Sequence, residues 1–341
     1  MKNFFKRKNI EVSVRRYLID AMGHMALGLF SSLLIGTILN TIGSKLGLTF
    51  LTEVLWPISR DMTGAAIGVA VAYALKAPPL VLFSSVVTGA AGNAMGGPAG
   101  AFIAVLIAAE CGKIVSKETK VDILVTPGVT VFVGVLVGST IGPYIAKMMT
   151  ALGDLIMYAT TLQPFLMGVI LAVVMGMILT LPISSAALAM MLSLHGLAGG
   201  AATAGCCAQM VGFAVMSYKE NGWGGLVAQG LGTSMLQVPN IVRNWKIWIP
   251  PTLASAITGP LSTLVFKMQN TPIGSGMGTS GFVGQFGTYQ AMSEAGSSPT
   301  TIFLYIAILH ILLPAVLTLF FAKILRKIGW IKPSDLKLDL G

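Results

Sequence analysis

Twice an uncharged apolar stretch of this chain breaks into glycine, at residues 92–100 (GNAMGGPAG) and at residues 271–281 (TPIGSGMGTSG). Neither run suits a regular helix, because glycine costs roughly 1 kcal/mol against alanine in a helix interior and proline roughly 3. An unsatisfied peptide group in lipid is costlier still, so unwound backbone at that depth persists only where protein or a water-filled cavity covers it. Freed amides, carbonyls and small hydroxyls then supply polar ligands without charged side chains, which is how many polytopic proteins build a solute site. The breaks point to a membrane transporter as the expected class.

Composition sets the medium. Hydrophobic residues make up 55% of the chain and charged ones 10%, against roughly 25% charged in a soluble domain. Forty glycines fit the same setting, since small residues let membrane helices approach closely. The length allows about eight to ten spanning or half-spanning segments at roughly 20 residues each, and leaves no room for a soluble catalytic domain. Much of the net charge of +10 lies near the ends, with Lys2, Lys6, Arg7, Lys8, Arg15 and Arg16 before the first apolar run and Lys323, Arg326, Lys327, Lys332 and Lys337 after the last. The positive-inside rule then puts both termini in the cytoplasm and makes the number of full crossings even. Anionic lipid headgroups account for basic tails of this kind, and a nucleic-acid partner is not expected. The first apolar run, residues 25–42, reads as a retained anchor rather than a cleaved signal. Cys111, Cys206 and Cys207 lack the spacing of a metal site or redox pair.

The expected fold is an all-α polytopic membrane protein with glycine-rich broken or re-entrant helices. A basic arm (1–18), a transmembrane transport domain (19–322) and a basic tail (323–341) are its parts. Residues 80–91 are too short for a simple span and precede the first break, so they suit a half-helix or re-entrant hairpin. Residues 110–122 read as a charged loop, 123–141 as a span and 145–161 as a separate amphipathic helix. Residues 184–218 read as short helices around a glycine-rich break at 195–205. Pro79 with Gly96-Gly97 and Pro182 with Gly199-Gly200 share one spacing, and Gly142-Pro143 and Gly259-Pro260 each precede a Lys-Met pair. Internal repeats of transporters leave such paired interruptions. Glycine is frequent enough here for coincidence to do the same, and neither inverted nor parallel order follows from the spacing.

Ionisable groups inside membrane segments are expensive and count as functional candidates. His195 lies just before Gly199-Gly200, where the first half carries Asn93 beside Gly96 and Gly97. Both side chains can donate to and accept from a neutral polyhydroxy solute; the competing reading of His195 is a ring satisfied by a neighbouring carbonyl. His310 in the final span faces the same choice and is expected to pack, while His24 and Asp20, one turn apart, are expected to pair. Asn240 and Arg243 share a helical edge and could meet an anionic solute, unless the arginine reaches for headgroups. Gln209, Thr279, Ser280 and Gln285 add neutral donors and acceptors. No catalytic motif, metal cluster or cofactor motif is visible, and without a P-loop the chain does not itself hydrolyse nucleotide.

Residues 92–100, residues 240–251 (NIVRNWKIWIPP) and residues 271–285 (TPIGSGMGTSGFVGQ) resemble the EIIC-like membrane proteins of the phosphotransferase system, over nearly the whole chain. Within them the motifs are similar to the branch of toxin regulators named after the perfringolysin O regulator. The resemblance implies a homodimeric, sugar-translocating component of the cell membrane that moves solute by an elevator-like domain. The Gly-Ile-Thr-Glu motif of glucose-type EIIC proteins is absent, and no EIIB cysteine domain or EIIA histidine domain is attached. Coupled phosphorylation would therefore need separate EIIA and EIIB partners. The expected function is binding and translocation of a small polar solute, a sugar or polyol. Two alternatives stay open: a secondary transporter of an anionic metabolite, and a membrane sensor that reports through its basic termini.

Overall fold

Gly96 and Gly97 turn the chain back on itself. In the computed structural model, Gly97 takes φ +63° and ψ −162° and Gly96 φ −147° and ψ 18°, and Pro98 follows without an amide hydrogen to donate. Only glycine reaches the Gly97 conformation without strain. The structure describes residues 2–338; Met1 and residues 339–341, the extreme ends of the two expected basic arms, lie outside the described residues. Every regular element among the described residues is helical, and one isolated backbone pairing joins Gly196 to Asn270. The chain divides into two compact units, Met1–Met149 and Thr150–Gly341.

Five helices of the described residues are long and apolar enough to cross a membrane. In chain order the principal helices are α1 (Arg15–Ser44), α2 (Thr63–Ala74), α3 (Pro79–Val115), α4 (Asp122–Thr160), α5 (Pro164–Thr180), α6 (Gly196–Met216), α7 (Ile249–Pro260), α8 (Val283–Glu294) and α9 (Pro299–Lys327). The multi-pass, all-α expectation holds.

In the first unit, α3 is a re-entrant hairpin with its apex at Gly96-Gly97 and arms of about 17 residues, each ~25 Å long at 1.5 Å per residue. The arms touch along their length. A Cβ on Gly92 would lie 2.9 Å from the Ala101 Cα, and one on Gly112 would lie 2.9 Å from Val81 Cγ2. Helix α2 packs against the first arm through glycine on both sides, since a Cβ on Gly89 would come 2.7 Å from the Gly68 Cα. Two expectations change here. The second arm runs through Glu110 and Lys113 to Val115, so the charged loop is shorter than residues 110–122. Helix α4 is also continuous through Gly142-Pro143, where two segments were expected. Gly142 lets α4 pass the hairpin, for a Cβ there would stand 2.8 Å from that of Met95.

Part of the basic arm is bonded to the protein, through Arg16 and Lys8. The carbonyl of Leu75, the last turn of α2, accepts from Arg16 Nη2 at 2.6 Å and from Lys113 Nζ at 3.0 Å. Lys113 also donates to the Asn9 carbonyl at 3.0 Å and pairs with Glu110 Oε2 at 2.8 Å. Two cations on one helix-terminal carbonyl answer both the orphan acceptor and the negative end of the helix dipole. Lys8 donates to the Ser116 carbonyl and pairs with Glu118, and that bond, with Arg7 beside it, holds the Glu118 carboxyl below the usual range. His24 bonds the Asp20 backbone carbonyl at 2.9 Å rather than its carboxylate, and its ring lies against Tyr73.

The second unit is built around α6, with 94% of its apolar window buried. Helices α5, α7 and α9 pack on it, and α5 and α7 bring glycine to their crossings. A Cβ on Gly176 would sit 2.7 Å from the Gly205 carbonyl oxygen, and one on Gly168 2.9 Å from the Gly259 carbonyl. Helix α6 is regular through Gly199, Gly200 and Gly205, so the break expected at 195–205 falls earlier, where Ser193 and Gly196 take φ +48° and +60°. Gly199-Gly200 and Gly96-Gly97 thus share a spacing without sharing a conformation. Packing explains the difference, because neighbouring backbone occupies the space a side chain would need and keeps these glycines helical.

A side chain at Gly205 must overlap the backbone of Ala172. Gly205→Val is expected to destabilise the purified protein by about 3 kcal/mol, the upper part of the usual overpacking range. Gly224→Ala, at a helical position with nothing within 4 Å of the added carbon, should raise the melting temperature slightly. Thermal unfolding in detergent checks both.

Candidate functional site

In each unit an interruption of the helices falls at expected site residues. In the first, the α3 apex gathers Asn93, Gly96 and Gly97 as expected. Asn93 is half-buried one turn before the apex and makes no hydrogen bond among the described residues, leaving its amide available. Nothing lies within 4 Å of where a Cβ on Gly97 would stand, so the apex backbone borders open space. An apolar groove of about 650 Å³ runs along α4 from Pro127 to Ser139 and involves none of the expected site residues.

In the second unit the interruption before α6 is fastened to the loop that follows α7. Gly196 donates to the Asn270 carbonyl at 3.1 Å and Asn270 donates back to the Gly196 carbonyl at 3.2 Å. The Asn270 side chain then ties the loop together: Nδ2 donates to the Gly284 carbonyl at 3.0 Å and to Thr203 Oγ1 at 2.5 Å, while Oδ1 accepts from the Thr271 amide at 2.7 Å. Ser275 donates to the Leu194 carbonyl at 2.7 Å and Ser185 to that of Gly276 at 2.6 Å. Unwound backbone on both sides is thereby satisfied by small polar side chains, as burial requires. Asn270 is the residue sequence reasoning missed. Its signal is local, an Asn-Thr-Pro run in which Thr271 caps the short helix Pro272–Ser275.

His195 stands at the N-cap of α6 with extended backbone and an exposed ring. Nδ1 lies 2.6 Å from the Ser193 carbonyl, which places the proton on Nδ1 and leaves Nε2 as a free acceptor. The reading of a ring satisfied by a neighbouring carbonyl therefore holds at Nδ1, while Nε2 makes no hydrogen bond among the described residues. Thr279 donates to the Gly230 carbonyl, and Ser280 Oγ is buried with no partner. Next to them Phe282 is exposed and takes φ +59°, a strained backbone for an aromatic residue and the kind that concentrates at ligand sites.

Other expected residues are committed elsewhere. Gln209 is fully buried and spent: Oε1 accepts from Trp248 Nε1 at 3.0 Å and Thr180 Oγ1 at 3.4 Å, and Nε2 donates to Thr252 Oγ1 at 3.2 Å. Asn240 and Arg243 belong to a strap. Asn240 Nδ2 donates to Gln237 Oε1 at 2.8 Å and to the Lys337 carbonyl at 2.9 Å, and Arg243 Nη1 donates to Asn240 Oδ1 at 3.2 Å. Gln237 and Asn221 donate to the Leu336 carbonyl, Asn244 donates to that of Trp330, and Ile331 and Leu336 bury themselves against Phe213, Met216 and Ile247. The 240–251 motif thus holds the chain's own C-terminal segment. Gln285 contacts His310, which brings together a candidate solute residue and a histidine expected to pack. Among the described residues no group of three or more His, Cys, Asp or Glu could hold a metal.

Glu220 fastens the strap by accepting the Leu336 amide at 2.9 Å, with Arg326 at 3.5 Å. Burial pushes its carboxyl above the usual range, aided by Asp335 and opposed by the Leu336 amide and Arg326.

The description "Phosphotransferase system, EIIC" belongs to the family model that matches residues 19–338. No curated protein and no solved structure matches the chain.

A raised folded-state pKa at Glu220 contributes stability below the unfolded pKa, near 4.3, and loses it as pH rises through the folded value. The melting temperature of the unmodified chain should therefore fall relative to that of Glu220→Gln between about pH 4 and neutrality. Parallel curves for the two proteins would show that the carboxyl is not perturbed.

Proposed function

Because the chain belongs to the phosphotransferase-system EIIC family, we propose that this multi-pass permease component binds and translocates a sugar or polyol, coupled to separate EIIA and EIIB proteins. It works as a homodimer in the cell membrane with both termini in the cytoplasm, the side the basic ends favour. The single observation that carries the solute reading is the fastened interruption before α6. There the Gly196–Asn270 pairing holds two unwound segments beside the open Nε2 of His195.

The polar groups available there are neutral. In the second unit His195 Nε2 accepts; in the first, taken by itself, Asn93 offers both roles beside the Gly96-Gly97 backbone. A polyhydroxy solute, whose every hydroxyl donates and accepts, complements either group. An anion would lack a cation at these positions, because Arg243 lies on the strap and is bonded to Asn240.

Thermal unfolding of the purified protein with sugars, polyols, sugar phosphates and carboxylates tests the reading. Solute at a hundredfold its dissociation constant stabilises the native state by about 2.7 kcal/mol. A sugar or polyol should raise the melting temperature, and His195→Ala and Asn93→Ala should each shrink that rise while leaving the unliganded transition unchanged. Equal rises in both variants would remove these residues from the site, and a response confined to anions would overturn the sugar reading.

A further inference from the structure

Buried polar atoms are almost always paired, and one left alone costs about 1–3 kcal/mol. In the second unit Gln285 Oε1, Thr288 Oγ1 and His310 Nε2 are all buried without a hydrogen-bond partner. They are neighbours. Gln285 Nε2 lies 3.2 Å from His310 Nδ1 and 3.4 Å from Cys207 Sγ, and Thr288 follows Gln285 by three residues on the same face of α8. His310 sits in a π-helical turn, Ala307–Leu312, a geometry that recurs at functional sites.

The donor count identifies the missing chemistry. An amide nitrogen only donates, so Nδ1 of His310 accepts and the ring proton lies on Nε2. One open donor and one open acceptor remain, with the Thr288 hydroxyl able to play either role. Turning the Gln285 amide over exchanges the two roles and keeps the same complement. No charged group joins the set: α6, α7, the π-helical turn Leu261–Val265 and the segment Pro299–Ile306 carry none. Glu294, at the far end of α8, is exposed and accepts from Gln290. Lys323, Arg326 and Lys327 lie more than three turns beyond His310 on α9. A cation or an anion would have no counter-charge, whereas a hydroxyl satisfies a donor and an acceptor together.

We propose that Gln285, Thr288 and His310 form a binding site for a small neutral hydroxyl, supplied by a buried water or by the transported solute. The water source stands on this geometry alone, and the solute source rests on the permease reading given above. Either one bridges α8 to the π turn of α9 and meets hydrogen-bonding groups that the protein itself leaves open.

The test is a structure of the full chain in lipid nanodiscs, at a resolution that shows ordered water, determined without solute and with the sugar or polyol that raises its melting temperature most. The expected result is density for an oxygen within hydrogen-bond reach of His310 Nε2 or Gln285 Oε1. Its presence without solute identifies water, and its appearance only with solute identifies a solute hydroxyl. Empty density in both overturns the proposal, as does density that persists unchanged in His310→Phe. A protein that responds to no solute but shows the oxygen keeps this site while removing the permease reading, so the two failures are separable.

Discussion

A peptide group that loses its helical partner away from water must find another one nearby, and both interruptions of this chain are arranged around that requirement. At the α3 apex the demand is kept small: the turn is confined to Gly96 and Gly97, and Pro98 brings no amide hydrogen to satisfy. Before α6 the demand is larger, because the chain leaves the helix at Ser193 and re-enters at Gly196. There a second unwound segment meets it, with backbone pairing at Asn270 and side chains from Ser185, Thr203 and Ser275 closing the remaining positions.

Glycine serves two opposed purposes here, and only one is visible in a linear reading. Gly97 and Gly196 supply positive φ and open space for a break. Gly168, Gly176, Gly205 and Gly259 stay helical and give their missing side chains to interhelical contact. Intrinsic propensity disfavours both sets equally. Tertiary contact decides between them, since a helix whose carbonyls touch a neighbouring backbone gains more from close packing than it loses in chain entropy. That is why the hairpin at residues 92–100 was legible while the break in the second half was read several residues late. In the first run Gly97 borders open space and Pro98 brings no amide hydrogen, whereas in the second Gly199 and Gly200 lie against Ser275 and Met268 and stay helical, a difference of contact that the residues themselves do not announce.

The site was legible in residue type and less so in partnership. Asn93 and His195 were singled out because a polar side chain beside a glycine run is costly without a purpose, and both keep an open group among the described residues. Gln209 and Asn240 satisfied the same criterion and turned out to be consumed, one by Trp248, Thr180 and Thr252, the other by Gln237 and the Lys337 carbonyl. Their partners lie from three to nearly a hundred residues away in sequence, and no local pattern reports such distances. Asn270 was overlooked for the converse reason. It stands just outside the glycine run, and its importance comes from holding Gly196, Thr203 and Gly284 at once.

The ends of the chain follow the same rule as its interior. Their basic residues suggested solvated arms against anionic lipid, a fair expectation for charge alone. Yet Arg16 is buried at the Leu75 carbonyl, and the C-terminal segment bonds Gln237, which continues into a fully buried chain through Gln229 to Ser217. A helix that ends inside protein presents carbonyls with no water to accept from, and cationic side chains are the strongest donors available to them. Positive charge near the ends of a membrane chain can therefore be recruited twice, by the lipid surface for orientation and by helix termini for satisfaction. The same use extends beyond the ends to Lys113 of α3: at 1% exposure it has no access to a headgroup, and it contacts a helix-end carbonyl, an arm carbonyl and the carboxylate of Glu110.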